Sequence, residues 1–245
     1  MLPSLFISHG SPMLALIPTP AHHFLRALGR HLRPKAVLVV SAHWETDHLQ
    51  VSRSAAPATL HDFGGFPDAL FAVQYPAPGD PALASRLAEQ LGATEVERGL
   101  DHGAWVPLSL MYPDADVPVV SLSLPSRWGA EALLTLGEQL APLRQEGILV
   151  IGSGSLTHNL YELQPQGSQV PTWVDRFAEW VHARLREDDR DALVHWQNAP
   201  DAQRNHPTPE HFQPLLVAMG AGGRATQRHH SVEHGVLAMD VYQFA

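Results

Sequence analysis

The apolar positions of this chain gather into short blocks that stop abruptly, and the stops are marked by glycine, proline or histidine. Residues 5–8 are an apolar, β-leaning run that ends on His9, after which Gly10, Ser11 and Pro12 turn the chain. Residues 36–44 repeat the pattern. A continuous aliphatic run, as a strand buried on both faces requires, delivers His43 at its end. Residues 147–152 form a third such run, followed by a glycine-rich turn and His158. Residues 117–122 are β-branched enough for a further strand, 49–52 for a short one, and 236–244 for a closing one. If the first two strands are neighbours, His9 and His43 meet beyond their carboxyl ends, where open α/β sheets keep their ligands.

Between these blocks the period lengthens to that of a helix. Residues 21–31 place Phe24, Leu25 and Leu28 on one face, and Pro34 separates them from the next strand, which makes a βαβ unit. Asp80 followed by Pro81 starts a helix that runs to about 91, and 130–144 is amphipathic. Residues 173–186 and 191–196 read as outer helices. Asp101-His102-Gly103 holds a histidine in a turn just before a short helix. Thr208-Pro209-Glu210-His211 has the order cap, proline, acid, which predicts a helix over 209–219 with His211 in its first turn. These patterns predict one α/β domain over residues 1–245, with a central, mostly parallel sheet flanked by helices and an active site at the strands' carboxyl ends.

Composition narrows the chemistry. A chain of 245 residues with 44% hydrophobic content can bury a full core, and its net charge of -9, without a basic run, argues against nucleic acid or an anionic membrane as partner. The absence of cysteine excludes disulfides, thiolate-bound metal and a cysteine nucleophile together. No apolar segment approaches the roughly 18 to 20 residues that span a bilayer, and the start of the chain lacks the basic flank of a signal peptide. A cytoplasmic protein with a small-molecule substrate is expected, and a homo-oligomer stays open.

Sixteen histidines stand out. The pairs His22-His23 and His229-His230 read as surface or loop residues, and a lone histidine is ordinarily a hydrogen-bonded structural group. Three histidines just past strand ends change that reading. Neutral imidazole suits iron, zinc, copper and nickel, so His9, His43 and His211 are the candidate metal ligands. Trp44 and Trp105 follow motif histidines closely, but their large apolar area assigns them to the core.

His9-Gly10-Ser11-Pro12, Ser41-Ala42-His43-Trp44, His61-Asp62-Phe63-Gly64-Gly65-Phe66-Pro67, Tyr75-Pro76-Ala77-Pro78-Gly79, Leu100-Asp101-His102-Gly103, His158-Asn159-Leu160 and His206-Pro207-Thr208-Pro209-Glu210-His211 run in order through most of the chain. Together they resemble the motif series of the class III extradiol ring-cleaving dioxygenases, in their DOPA dioxygenase branch. The resemblance implies a non-haem metalloenzyme that opens a catechol beside its two hydroxyls, with O2 as co-substrate. It implies ligands at His9, His43 and His211, an acid/base histidine at His158 that can also lean in as a fourth ligand, and a second pocket histidine at His102. For the loop of His61, Asp62, Phe63 and Phe66, a role in holding the ring and a packed surface loop both stay open. The departure is the third ligand, a histidine where many extradiol enzymes use a carboxylate. Glu45 and Glu210 are the nearest acids: for Glu45 a ligand and a solvated acid both stay open, and Glu210 reads as a helix-dipole acid ahead of a ligand. Fe(II) is expected for activity, and three neutral ligands would also hold Zn(II). A mononuclear zinc hydrolase and a metal- or catechol-binding protein without turnover are the alternatives.

Overall fold

The aliphatic runs become strands because their alternate side chains find apolar partners on both faces. The computed structural model describes residues 1–245. Its strands are β1 (Ser4–Ser8), β2 (Ala36–Thr46), β3 (Gln50–Ser52), β4 (Thr94–Val96), β5 (Val119–Pro125), β6 (Ile148–Gly154), β7 (Ala225–His229), β8 (Val232–Glu233), β9 (Leu237–Ala238) and β10 (Val241–Phe244). Its helices are α1 (Pro20–His31), α2 (Asp68–Phe71), α3 (Pro81–Leu91), α4 (His102–Met111), α5 (Ala130–Leu140), α6 (Thr172–Glu187), α7 (Arg190–Val194), α8 (Ala202–Asn205) and α9 (Gln213–Ala221). Eight strands form one sheet in the order β4-β3-β5-β2-β6-β1-β10-β7, and β8 and β9 make a separate hairpin. The centre of the sheet, β5, β2, β6 and β1, is parallel; β10 and β7 extend it antiparallel.

Leu38, Val40 and Val150 point to one face, where they pack with α9, α5 and α6. Val37, Val39, Leu149 and Ile151 point to the other, with residues of α1 and α4. Each fully buried aliphatic side chain of this kind contributes about 1.5–3 kcal/mol. The result is a single α/β domain with the strand ends of β1, β2 and β6 at one edge. No helix is long and apolar enough to cross a membrane.

Several expectations are corrected. Strands β1 and β2 are not neighbours, since β6 lies between them. The single closing strand is two: β9 pairs with β8, whereas β10 pairs with β1, and the carbonyl of Asp240 between them accepts from Ser8 N. The helix expected over 209–219 starts at Gln213, so His211 lies in the turn ahead of it. Pro214 explains the delay. In a helix begun at Pro209 its ring would meet the Glu210 carbonyl and break the ladder, whereas in the first turn of α9 a missing N–H costs nothing. Likewise α5 gives way at Ala141 to a 3-10 turn that holds Pro142. His22 is buried on α1, with Nδ1 at 2.8 Å from the Leu14 carbonyl, and is no surface residue.

Candidate metal centre

Three segments deliver three imidazoles to one point. His9 follows β1 directly, and Gly10, at φ +59°, then turns the chain away in a conformation that favours glycine. His43 lies where β2 has left β6, whose last partner on it is Ser41, and where its register with β5 slips between Val40 and Glu45. Such irregularities re-aim a side chain. His211 comes from the turn before α9, which approaches β6 so closely that a Cβ on Gly154 would collide with the His211 carbonyl. The small residues Gly152, Ser153 and Gly154 at the end of β6 let His9 and His43 meet across it.

Nε2 of His43 lies 3.0 Å from Nε2 of His9 and 3.3 Å from Nε2 of His211. Protonation explains why this is not a set of ordinary hydrogen bonds. The Ser153 hydroxyl donates to the Gly103 carbonyl, so it accepts from His9 Nδ1, 3.0 Å away, and His9 Nε2 is left as a bare lone pair. Glu210 Oε1 accepts from His211 Nδ1 at 2.8 Å, which bares His211 Nε2 in the same way. One proton on His43 Nε2 could satisfy one of these neighbours and not both. A metal satisfies all three: bond lengths of about 2.0–2.1 Å put adjacent ligand nitrogens about 2.9–3.4 Å apart, the spacing observed. The Nδ1 partners are the outer contacts that orient metal-binding histidines.

Burial, and then the neighbouring imidazoles, hold His9 well below the ordinary histidine range, and the same two causes act on His211. Burial and His102 push His43 down to about 3 against the pull of Asp62, and burial lowers His158 to about 4. All four are therefore neutral at neutral pH, the form that binds metal.

Two further histidines adjoin the trio. His102 opens α4 behind the cap Asp101, whose carboxylate also takes the Ser41 hydroxyl at 2.6 Å, so the helix start is tied to the middle of β2, two residues before His43. Asp62 Oδ1 accepts from both Nδ1 and the backbone N of His102, at 3.0 and 2.9 Å. Burial raises Asp62, but these bonds outweigh it and hold the carboxyl at about 2. The His158 ring stacks on that of His211, with centroids 3.5 Å apart and planes 9° from parallel. His9, His43 and His102 gather within metal-ligating distance of one another, as do His158, Glu210 and His211.

The trio opens into a cleft of about 500 Å³ that His102, His158, Asp62, Phe63 and Phe66 also line. His61 does not line it; Nε2 lies 3.0 Å from the Val73 carbonyl and the ring packs against Phe71 and Trp105. Glu45 is outside the lining as well. Glu210 is no helix-dipole acid, because no helix starts there; it is the acceptor for His211. Trp44 and Trp105 are core residues as expected. Sequence reasoning missed the acceptor role of Ser153 and the cleft residues Leu160, Leu163, His234 and Leu237. Leu160 closes the motif that begins on His158, which was the available signal; the others carry none.

Residues 3–244 match the family described as the catalytic LigB subunit of aromatic ring-opening dioxygenase. The chain is 42% identical to a Beta vulgaris protein named 4,5-DOPA dioxygenase extradiol, over 98% of this chain and 95% of that one. It is 43% identical to a protein of the same name from Escherichia coli K12, over 90% and 85%. A solved structure of an uncharacterized protein from Escherichia coli K12 superposes with a TM-score of 0.86 at 37% identity, covering all of both chains.

Proposed function

This chain belongs to the LigB family of aromatic ring-opening dioxygenases, and we propose that it cleaves catechols of the DOPA type at a metal held by His9, His43 and His211. Its activity is extradiol ring opening with O2, an oxidoreductase reaction, and the hydrolase and non-catalytic alternatives are not favoured. The observation that carries the ligand assignment is the convergence of three Nε2 atoms at 3.0 and 3.3 Å, two of them stripped of their proton by the Nδ1 partner. Iron(II) is the proposed working metal, and zinc(II) fits the same three nitrogens. When bound, the metal supplies the positive charge that favours catecholate over catechol and the electronic contact between ring and O2.

The chain's own residues do the rest. Phe63 and Phe66, whose rings meet edge to face at 5.3 Å, offer the apolar wall against which an aromatic ring packs. His158 is kept neutral by burial, so it enters the reaction able to take the proton a catechol hydroxyl must lose. The same imidazole, once protonated, is placed to return that proton to the product. Asp62 fixes the ring of His102 through Nδ1, which leaves Nε2 of this cleft-lining residue as the nitrogen free for a second proton exchange.

The test is O2 uptake with a panel of catechols, on metal-free protein reloaded separately with Fe(II) and with Zn(II). Uptake and a yellow ring-opened product with Fe(II) alone are expected. Equal uptake with zinc(II) would overturn the iron assignment, and no uptake with either metal, despite one bound ion per chain, would overturn the proposed substrate class.

A further inference from the structure

The motif that ends on His211 begins on His206, a residue that lines neither the cleft nor the metal centre. His206 is buried among Phe177, Trp196 and Phe212, with ring centroids 5.5, 5.4 and 5.4 Å from its own. A phenylalanine or methionine would fill such a pocket without a polar atom to satisfy. The imidazole is costly there, because Nδ1 is buried with no partner, and an unsatisfied buried nitrogen forfeits about 1–3 kcal/mol of hydration. What the ring gains is one bond: Nε2–H donates to the Leu156 carbonyl at 2.8 Å.

That carbonyl lies two residues before His158. Three successive residues, 204–206, grip the loop in register: the Arg204 carbonyl accepts from Asn159 Nδ2 at 2.7 Å, the Asn205 carbonyl accepts from His158 N at 2.9 Å, and His206 donates to Leu156. From the other side the His211 carbonyl accepts from Ser155 N at 2.9 Å. The short span from 204 to 211 therefore holds both ends of the loop that carries His158, and sets the His158 ring against that of His211.

We propose that His206 is a positioning residue for His158: its Nε2–H bond to the Leu156 carbonyl fixes the loop so that the His158 imidazole stands beside His211 and faces the cleft. This rests on the reading of His158 as the proton acceptor in catechol cleavage, but the geometry can be tested apart from turnover.

The experiment compares H206M, which fills the pocket without a donor, with H206Q, whose side-chain amide reaches as far as Nε2. In zinc(II)-loaded full-length protein, the imidazole NMR resonances of His158 move in H206M and return to their wild-type positions in H206Q. In the Fe(II)-loaded enzyme with a catechol, H206M lowers kcat by at least tenfold with KM within twofold, H206Q recovers kcat to within threefold, and H206M adds no further loss in an H158A background. Should H206M fail to fold, H206N, one methylene too short to reach the carbonyl, replaces it. Unmoved His158 resonances together with wild-type kcat would overturn the proposal, as would a loss in H206M that adds in full to that of H158A. If the wild type consumes no catechol while the resonances behave as stated, the dioxygenase assignment of this site fails and the positioning role stands.

Discussion

In the cleft, buried His9 and His211 and half-buried His43 turn their Nε2 atoms on one another, while beside β7 the neighbours His229 and His230 each face a partner of their own. Asp240 Oδ2 lies 3.1 Å from His230 Nδ1 while its Oδ1 accepts from Gln227 Nε2 at 2.6 Å, and His229 Nε2 lies 2.9 Å from the Ser231 hydroxyl. The residue types are the same in both places, and acids stand near both. The difference is what Nε2 meets. Glu210 and Ser153 take the Nδ1 protons of His211 and His9 and leave their Nε2 atoms bare against His43, whereas His229 Nε2 is taken by Ser231 and His230, half in water, is held through Nδ1 by Asp240, whose hydrogen bond raises it above the ordinary range. A histidine cluster becomes a metal site when its outer contacts leave lone pairs facing each other without a proton to share.

The comparison can be broken most severely at the trio. H43A removes the nitrogen common to both short contacts, so bound metal falls from one per chain to near none and O2 uptake falls to background, whereas H230A leaves metal content unchanged; elemental analysis reads both. Next is H158A, which keeps its metal and loses about 10²- to 10⁴-fold in kcat, the usual worth of a placed acid/base group. E210Q can orient His211 with a weaker acceptor only, and metal affinity measured by competition with a chelator drops about 10- to 100-fold. The smallest effect is in stability, and its sign differs between the buried histidines and His230. Burial holds folded His158 and His206 at about 4 against 6.5 in the unfolded chain, so the unfolded state binds the extra protons and the melting temperature of metal-free protein falls as pH drops from 6.5 towards 4. His230, raised in the folded state, contributes below pH 6.5 and loses that contribution as pH rises through its folded value. With half of that side chain in water the gain is under about 1 kcal/mol, so H230A lowers the melting temperature slightly at pH 5.5 and not at pH 8.5.

Much of this was legible in the chain. The aliphatic runs ending on His9 and His43 became parallel strands, because unbroken β-branched and leucine-rich blocks can only be buried on both faces. The helix start at Asp80 was legible from its cap, which accepts from Leu83 N; Asp101 caps α4 in the same way, accepting from Ala104 N, so His102 opens that helix and does not lie in a turn ahead of it as expected. The start of α9 was misread, since Thr208 and Pro209 imitate a cap; Pro214, in plain view, was the overriding signal. His61 shares a motif with Asp62 and Phe63 and still turns the other way, towards Val73, because adjacent loop residues are free to face opposite sides.

By itself, then, the sequence determined the residue types that stand beyond the strand ends, the two-sided burial of those strands and the stock of nitrogen ligands without a thiol among them. Only the tertiary structure decided which imidazoles share a point in space. The contacts that make the centre join residues 34 and 168 positions apart, and they depend on β6 inserting between β1 and β2 and on glycine at position 154 admitting the segment of His211. Propensities and caps act over a few residues, whereas strand order and the convergence of lone pairs are settled by packing across the whole chain.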